Sequence, residues 1–345
     1  MTAALQSIQN VDHLDDLLSQ PTEAVVTAMR TLPGDIMLLG AGGKIGPSLA
    51  RMAKRASDEA GVTRRVMAVS RFSNAEEERR LQAAGVETLR CDLLDERAVA
   101  QLPDAPNLIY LAGLKFGSGT RPAMTWAMNT YLPTIICRQY PASRIVAYST
   151  GAVYGMCPVA SGGSVETDLP QPVGEYAMSC LGRERMFEYF SDLQQTPVVS
   201  IRLFYASEMR YGVLVDLAQM IVAGQSIDLA MGYFNIIWQG DANAMTLRAF
   251  ECATSPATAL NVTGLEMLSI RRAAEMLGAH LGKEPIFTGT EQATTCIGNA
   301  SKAHNRFGAP RISTAQLIAW TADWVGAGRA SHGKPTHFEV RDGIY

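Results

Sequence analysis

The 345-residue chain has no apolar run approaching the roughly 20 residues of a bilayer-spanning helix, so no membrane-spanning helix is expected. It has no excess of basic charge. Lys+Arg total 30 against 33 Asp+Glu, a net charge of −3, which argues against nucleic acid or an anionic membrane as partner. It has no CxxC pair. The six cysteines (Cys91, Cys137, Cys157, Cys180, Cys252 and Cys296) are scattered, which predicts reduced, mostly buried thiols in a cytoplasmic protein. The five histidines are dispersed as well, so no metal site is expected. The N-terminal stretch lacks a basic segment followed by an apolar one, so no secretory signal is expected. Internal repeats and low-complexity segments are also absent.

What is present is the composition of a compact soluble enzyme, 47% hydrophobic and 18% charged. Residues 1–34 form an N-terminal extension, with helical spacing after Pro21-Thr22. Strand-like apolar runs then recur at 35–39, 66–69, 86–89, 108–111, 145–148 and 198–203. Helix-like stretches separate them at 45–59, 74–84, 96–102, 122–140 and 176–193. Strands alternating with helices predict an α/β fold, a Rossmann-like doubly wound parallel sheet. The expected division is an NAD(P)-binding domain over 35–205 and a smaller, mainly substrate-binding C-terminal lobe and tail over 206–345.

The first strand leads into Gly40-Ala41-Gly42-Gly43-Lys44-Ile45-Gly46 and then a helix. Gly40 permits the tight turn, Gly43 the approach of a pyrophosphate, and Gly46 close helix–strand packing. The helix N-terminus offers free N–H groups to the phosphates. At the end of the second strand, where an acidic residue would select NAD, stand Ser70 and Arg71. They predict a contact to a 2′-phosphate and favour NADP over NAD; the alternative is a solvated surface arginine. Asp92, after the third strand, is placed to accept from the adenine amino group or to cap a helix.

These motifs, with the segments that follow, resemble the extended short-chain dehydrogenase/reductases, the NAD-dependent epimerase/dehydratase family. The resemblance spans 35 to about 325. The 40–46 loop is similar to the family's GxxGxxG, and Asp92-Leu93 to its adenine-binding pair. Leu111-Ala112-Gly113-Leu114-Lys115 resembles a segment of UDP-sugar epimerases whose lysine reaches toward the cofactor. Asn129 stands where the family keeps an asparagine. Ser149-Thr150-Gly151-Ala152-Val153-Tyr154-Gly155 is similar to SSxxVYG, and Glu166 and Pro170 precede Tyr176 as in the family. Asn261-Val262-Thr263-Gly264 and Asn299-Ala300-Ser301-Lys302-Ala303 resemble its later signatures. Motifs and resemblance together imply a cofactor site of Gly40, Gly43, Lys44, Ile45, Gly46, Ser70, Arg71, Asp92, Leu93, Leu111, Ala112, Gly113, Lys115, Asn129, Tyr176 and Phe204. The catalytic residues implied are Thr150, Tyr176 and Lys115. A homodimer is also implied, through the helices over 122–140 and 176–193, with Met124, Met128, Met178, Met186 and Phe187 as apolar surface.

Three departures qualify the resemblance. The family's Tyr-x-x-x-Lys reads Tyr176-Ala177-Met178-Ser179-Cys180, so the lysine that favours the tyrosine phenolate is a cysteine. Tyr205 stands where nucleotide-sugar enzymes carry asparagine. The segments 233–241 and 287–298 lack the arginines that hold a sugar-nucleotide pyrophosphate. Arg210, a lone arginine, reads as a surface residue, with a substrate anion as the alternative. The expected substrate is therefore a sugar-like, non-nucleotide molecule, oxidised, reduced or epimerised at a carbinol. Lys115 is the expected substitute cation, and Arg183, two turns beyond Tyr176, is expected to help less. Cys180 reads as a small buried residue, with a reactive thiolate as the alternative. The alternative function is an NAD(P)-binding sensor or regulator with impaired catalysis.

Overall fold

The computed structural model describes residues 7–115 and 117–343. Two helices come first, α1 (Val11–Leu18) and α2 (Glu23–Thr31), capped by Asn10 and Thr22. An alternating succession follows: β1 (Ile36–Leu39), α3 (Gly46–Glu59), β2 (Val66–Ser70), α4 (Ala75–Ala83), β3 (Glu87–Arg90), α5 (Glu96–Val99) and β4 (Asn107–Tyr110). The expected helix over 122–140 is α6 (Pro122–Trp126) and α7 (Leu132–Gln139) joined by a π-helical turn, Ala127–Tyr131. Pro133 explains the interruption, because it has no N–H for the carbonyl of Asn129 four residues back. Then come β5 (Arg144–Thr150), α8 (Gly174–Gln194) and β6 (Val198–Leu203). The second half carries α9 (Val213–Val222), α10 (Gln239–Arg248), β7 (Thr258–Val262), α11 (Ile270–Leu281), α12 (Ser301–Phe307) and α13 (Thr314–Gly326), with short two-stranded pairings between them.

The central sheet has seven strands, all parallel, in the order β7-β6-β5-β4-β1-β2-β3. The six strands expected from the sequence are all in it. The seventh, β7, returns from the second half of the chain to pair with β6. Alternation along β1 shows why the sheet is apolar on both faces. Ile36 and Leu38 enter one core with Val25 and Met29 of α2, Leu49 and Ala53 of α3, and Leu247 of α10. Met37 and Leu39 enter another with Ile135 and Ile136 of α7 and Phe187 of α8. A third core joins Leu14 and Leu18 of α1 to α9, α11 and α13. The first helices are thus built into both halves. No helix among the described residues is long and apolar enough to cross a membrane.

The Asn261 segment singled out in the sequence stitches the halves together. Tyr154 donates to Asn261 Oδ1 at 2.8 Å, and Asn261 Nδ2 donates to the carbonyls of Ser164 and Asn299. Its backbone N–H donates to the carboxylate of Glu166 at 2.8 Å.

Candidate active site

The strand order reverses between β1 and β4, and in such sheets a crevice opens beyond the carboxyl ends there. Here it is a groove of two chambers, one of about 600 Å³ and one of about 540 Å³. Gly40, Gly43, Lys44, Leu111, Gly113 and Lys334 line both, so the two are continuous.

The 40–46 loop forms the floor. Gly40 has φ +89°, and a Cβ on it would stand 2.6 Å from the Ala112 nitrogen. A Cβ on Gly46 would stand 2.2 Å from the Ala41 carbonyl oxygen, so α3 packs there only as glycine. Gly43 differs, because its nearest neighbour would be the Gly40 carbonyl at 3.7 Å. Its missing side chain leaves room in the groove, not in the fold. Ile45 lines the inner chamber at the start of α3. A dinucleotide fits these residues: a long groove, a bare glycine within it, and a helix N-terminus at its floor. Lys44 lies 3.0 Å above the ring centroid of Tyr211. Burial, then the neighbouring charges of Lys334 and Lys115, push its pKa down to about 7.

The outer chamber gathers Ser70, Arg71, Asp92, Leu93 and Ala112, as expected for an adenosine end. Arg71 is exposed, and Ser70 Oγ accepts the Phe72 N–H at 3.4 Å. Asp92 accepts the N–H of Leu94 at 3.1 Å, so it shapes the turn as well as lining the groove. Glu77 lines the same chamber, and burial, then Asp15, raises its pKa. Arg210 is not a plain surface arginine. It is largely buried, paired with Asp15 at 2.9 Å and Glu208 at 3.0 Å, because α1 folds back over it.

The inner chamber brings together Thr150, Tyr176, Lys115 and Phe204. Thr150 ends β5 and accepts the Ala152 N–H at 3.2 Å. Tyr176 lies in the first turn of α8. Lys115 Nζ lies 5.9 Å from the Tyr176 ring centroid and donates to the Thr336 carbonyl at 3.1 Å. Burial lowers its pKa to about 8. Phe204 is clamped between Gly151 and Gly298, where a Cβ would come within 2.2 and 2.3 Å of its ring. Asn129 lies in the π-helical turn, behind the chamber. It accepts the Leu114 N–H at 2.8 Å and donates to Ser179 Oγ at 2.9 Å, tying the lysine-bearing loop to α8. Cys180 is fully buried beneath Tyr176, within hydrogen-bond reach of it. Burial pushes its thiol up, against the opposing effects of Arg183 and Tyr176, so it is held as a neutral group.

Sequence reasoning missed the C-terminal tail. Lys334, Thr336, Val340, Arg341 and Gly343 form part of the inner-chamber wall. Thr336 donates to Asp216 through backbone and hydroxyl at 2.7 and 2.6 Å. Arg341 donates to the carbonyls of Ala230 and Thr294 at 3.0 and 2.9 Å, and to Thr294 Oγ1 at 2.7 Å. Arg341 thus brings a guanidinium from the tail beside Thr294, in the segment 287–298 that has no arginine of its own. No local pattern marks such a residue. The tail passes so close to the start of α8 that a Cβ on Gly174 would lie 2.4 Å from the Gly343 carbonyl.

A family model described as NAD dependent epimerase/dehydratase family matches residues 36–210, half of the chain. No curated protein matches the sequence. Among solved structures, UDP-glucuronic acid 4-epimerase from Bacillus cereus, in complex with UDP-glucuronic acid and NAD, is 19% identical with a TM-score of 0.70, over 85% of this chain and 99% of that one. dTDP-glucose 4,6-dehydratase from Bacillus anthracis, in complex with NAD, is 15% identical with a TM-score of 0.72, over 86% and 97%. UDP-glucose 4-epimerase of Thermus thermophilus, in complex with NAD, is 19% identical with a TM-score of 0.68, over 84% and 98%. At these identities the structures speak for the fold. The matched half of the sequence, the parallel sheet and the glycine loop agree: the chain belongs to the NAD-dependent epimerase/dehydratase family of enzymes, among the extended short-chain dehydrogenase/reductases.

Proposed function

We propose that the protein is an NAD(P)-dependent oxidoreductase or epimerase acting on a carbinol of a sugar-like substrate. The observation that carries the reading is the meeting of Thr150, Tyr176 and Lys115 in one chamber that opens onto the glycine loop. Gly40, Gly43, Ile45 and Gly46 would hold the pyrophosphate. Ser70, Arg71, Asp92, Leu93 and Ala112 would hold the adenosine end, Leu111, Gly113, Lys115, Tyr176 and Phe204 would frame the nicotinamide end, and Asn129 would support that end from behind the chamber. Arg71 favours NADP; Glu77, in the same chamber, favours NAD by offering a ribose acceptor. When bound, the nicotinamide accepts or returns hydride. Tyr176 takes the hydroxyl proton at its phenolic oxygen, and Thr150 Oγ1 orients the same substrate oxygen. A free tyrosine has a pKa of ~10, so only about a thousandth is ionised at neutral pH. Lys115, beside the ring, favours the phenolate. The tail excludes water by closing one wall.

The substrate proposed is smaller than a nucleotide sugar, since the two expected arginine positions are empty of arginine. Arg341 gives the chamber a cation for a carboxylate or phosphate on such a substrate. The solved relatives bind nucleotide sugars, UDP-glucuronic acid among them, so these belong in the test. The assembly proposed is a homodimer. One observation favours a second reading, a cofactor-binding regulator: the neutral Cys180 beneath the tyrosine. Turnover of sugar acids, polyols and nucleotide sugars with NAD and NADP decides between them. Tyr176→Phe should abolish turnover, and Cys180→Ala should keep most of it. Tight cofactor binding with no turnover across the panel would favour the regulator.

A further inference from the structure

Arg183 is a buried charge that the mechanism above leaves unused. It lies on α8, two turns beyond Tyr176 and one beyond Cys180, and is 6% exposed. Nη1 donates to the Tyr148 carbonyl at 2.8 Å and Nη2 to Asn129 Oδ1 at 2.8 Å. Nε donates at 3.4 Å to the Asn129 carbonyl, which Pro133 cannot serve as an i+4 donor. All three partners are neutral. Glu184, the adjacent acid, is committed to Arg202 at 2.8 Å. A guanidinium buried among neutral partners is costly, and a neutral donor would serve those oxygens without that cost.

The charge stands close to the groove. A Cβ on Gly113 would lie 2.4 Å from Arg183 Nη2, and Gly113 lines both chambers. Only the thickness of a glycine separates the two. Asn129 spans the cluster, since its Nδ2 reaches Cys180 Sγ at 3.9 Å while its Oδ1 accepts from Arg183. The titratable groups that face Arg183 are Tyr176, Cys180 and Glu184 on its own helix and Tyr110 from β4, whose ring centroid is 5.7 Å away. Burial opposes the guanidinium's charge, but these neighbours outweigh it and hold its pKa above the ordinary value. Burial also pushes the Tyr110 phenol and the Cys180 thiol up, so both stay neutral. With Glu184 committed to Arg202, Tyr176 is the remaining group on which the charge can act.

We infer that Arg183 supplies from beneath α8 the positive charge that the family's lysine supplies at position 180, and that Cys180 is small and neutral because Arg183 and Asn129 fill that role and space. Arg183 is a positioning residue: it fixes Asn129 and the loop bearing Lys115, and its field favours the Tyr176 phenolate. The inference rests on the proposed role of Tyr176 as the base.

The test reads Tyr176 directly, without substrate. The ring-carbon NMR signal of ¹³C-labelled tyrosine is followed against pH, with and without NAD, and assigned by its loss in Tyr176→Phe. Arg183→Gln should raise the Tyr176 midpoint by about one unit or more. Arg183→Lys should leave it near the wild-type position. The double variant Cys180→Lys/Arg183→Gln, which moves the charge to the family's position, should bring it back. An unmoved midpoint in folded Arg183→Gln overturns the inference. So does a rise in Arg183→Lys as large as in Arg183→Gln, or a folded double variant without restoration. If Arg183→Gln does not fold, as judged by its thermal transition, the double variant decides: a Tyr176 midpoint at the wild-type position supports the inference, and one raised by about a unit or more overturns it. Absence of turnover would refute the proposed function yet leave this titration readable.

Discussion

Lys115 and Tyr176 meet across the inner chamber, with the ammonium 5.9 Å from the ring centroid and held there by the Thr336 carbonyl. The cation and the phenol come from different elements, the loop after β4 and the first turn of α8, so neither alone sets the geometry. Because burial lowers the lysine pKa to about 8, its charge is present at neutral pH and fades above it. Lys115→Met should therefore shift the acid limb of the kcat/KM profile to higher pH. At pH 7 the rate should fall about tenfold, the lower end of a one- to three-unit effect. A profile identical to wild type would remove Lys115 from the proposed mechanism.

The glycine loop yields a pair of opposite outcomes. A Cβ at Gly43 has room, with the nearest atom 3.7 Å away, whereas one at Gly46 would lie 2.2 Å from a backbone oxygen. Gly43→Val should fold with a near-normal unfolding midpoint and lose NAD(P) binding by calorimetry, because its side chain fills the groove. Gly46→Val should lose stability first, by about 1–3 kcal/mol, the usual cost of overpacking. Unchanged cofactor affinity in Gly43→Val would show that the pyrophosphate lies elsewhere.

The loop and the strands were legible because their signals are local. Four-residue apolar runs bounded by helices admit few other arrangements, and the GxxGxxG spacing is confined to seven residues. Asn129, Thr150 and Tyr176 entered through the family resemblance, whose motifs are equally local. Arg341 and Lys334 were not. They reach the chamber only because the tail doubles back onto Asp216 and Thr294, a long-range contact with no periodicity. Arg183 was expected to help Tyr176 less than Lys115, from its distance along the helix axis alone. That distance does not show that the long side chain folds onto Asn129. Phe187 was misread as interface surface. It is fully buried, edge-on to Tyr110 at 5.2 Å, since α8 presents one apolar side to the sheet.

Lys44 is predicted to make cofactor binding a proton-coupled event. Its pKa of about 7 reflects burial and two neighbouring lysines. A bound pyrophosphate supplies negative charge and must raise that value. Below pH 7 the lysine is protonated before and after binding, and affinity should be flat. Above pH 7 binding takes up a proton, so the Kd should rise with pH, by up to tenfold per unit. Calorimetry at pH 8 in two buffers of different ionisation heat should show uptake close to one proton. Lys44→Met should abolish that uptake. Uptake equal in wild type and variant would mean that Lys44 does not face the phosphates.

Helices α6 and α8 present the surface proposed for the homodimer. Met124 and Met178 are 45% and 44% exposed, and Trp126, Tyr131 and Tyr189 are exposed beside them. Trp126 Nε1 donates to Glu175 at 2.5 Å, which ties the two helices into one face. These side chains replace Phe187 in the interface expected from the sequence. In a twofold dimer each change is felt twice. Met178→Glu would bury two carboxylates against apolar partners, a cost that desolvation makes large. Light scattering at micromolar concentration should give a dimer for the wild type and a monomer for Met178→Glu. The variant's secondary structure should persist, because Met178 points away from the cores. A monomeric wild type would end the proposal, and a dimeric Met178→Glu would move the interface to another face.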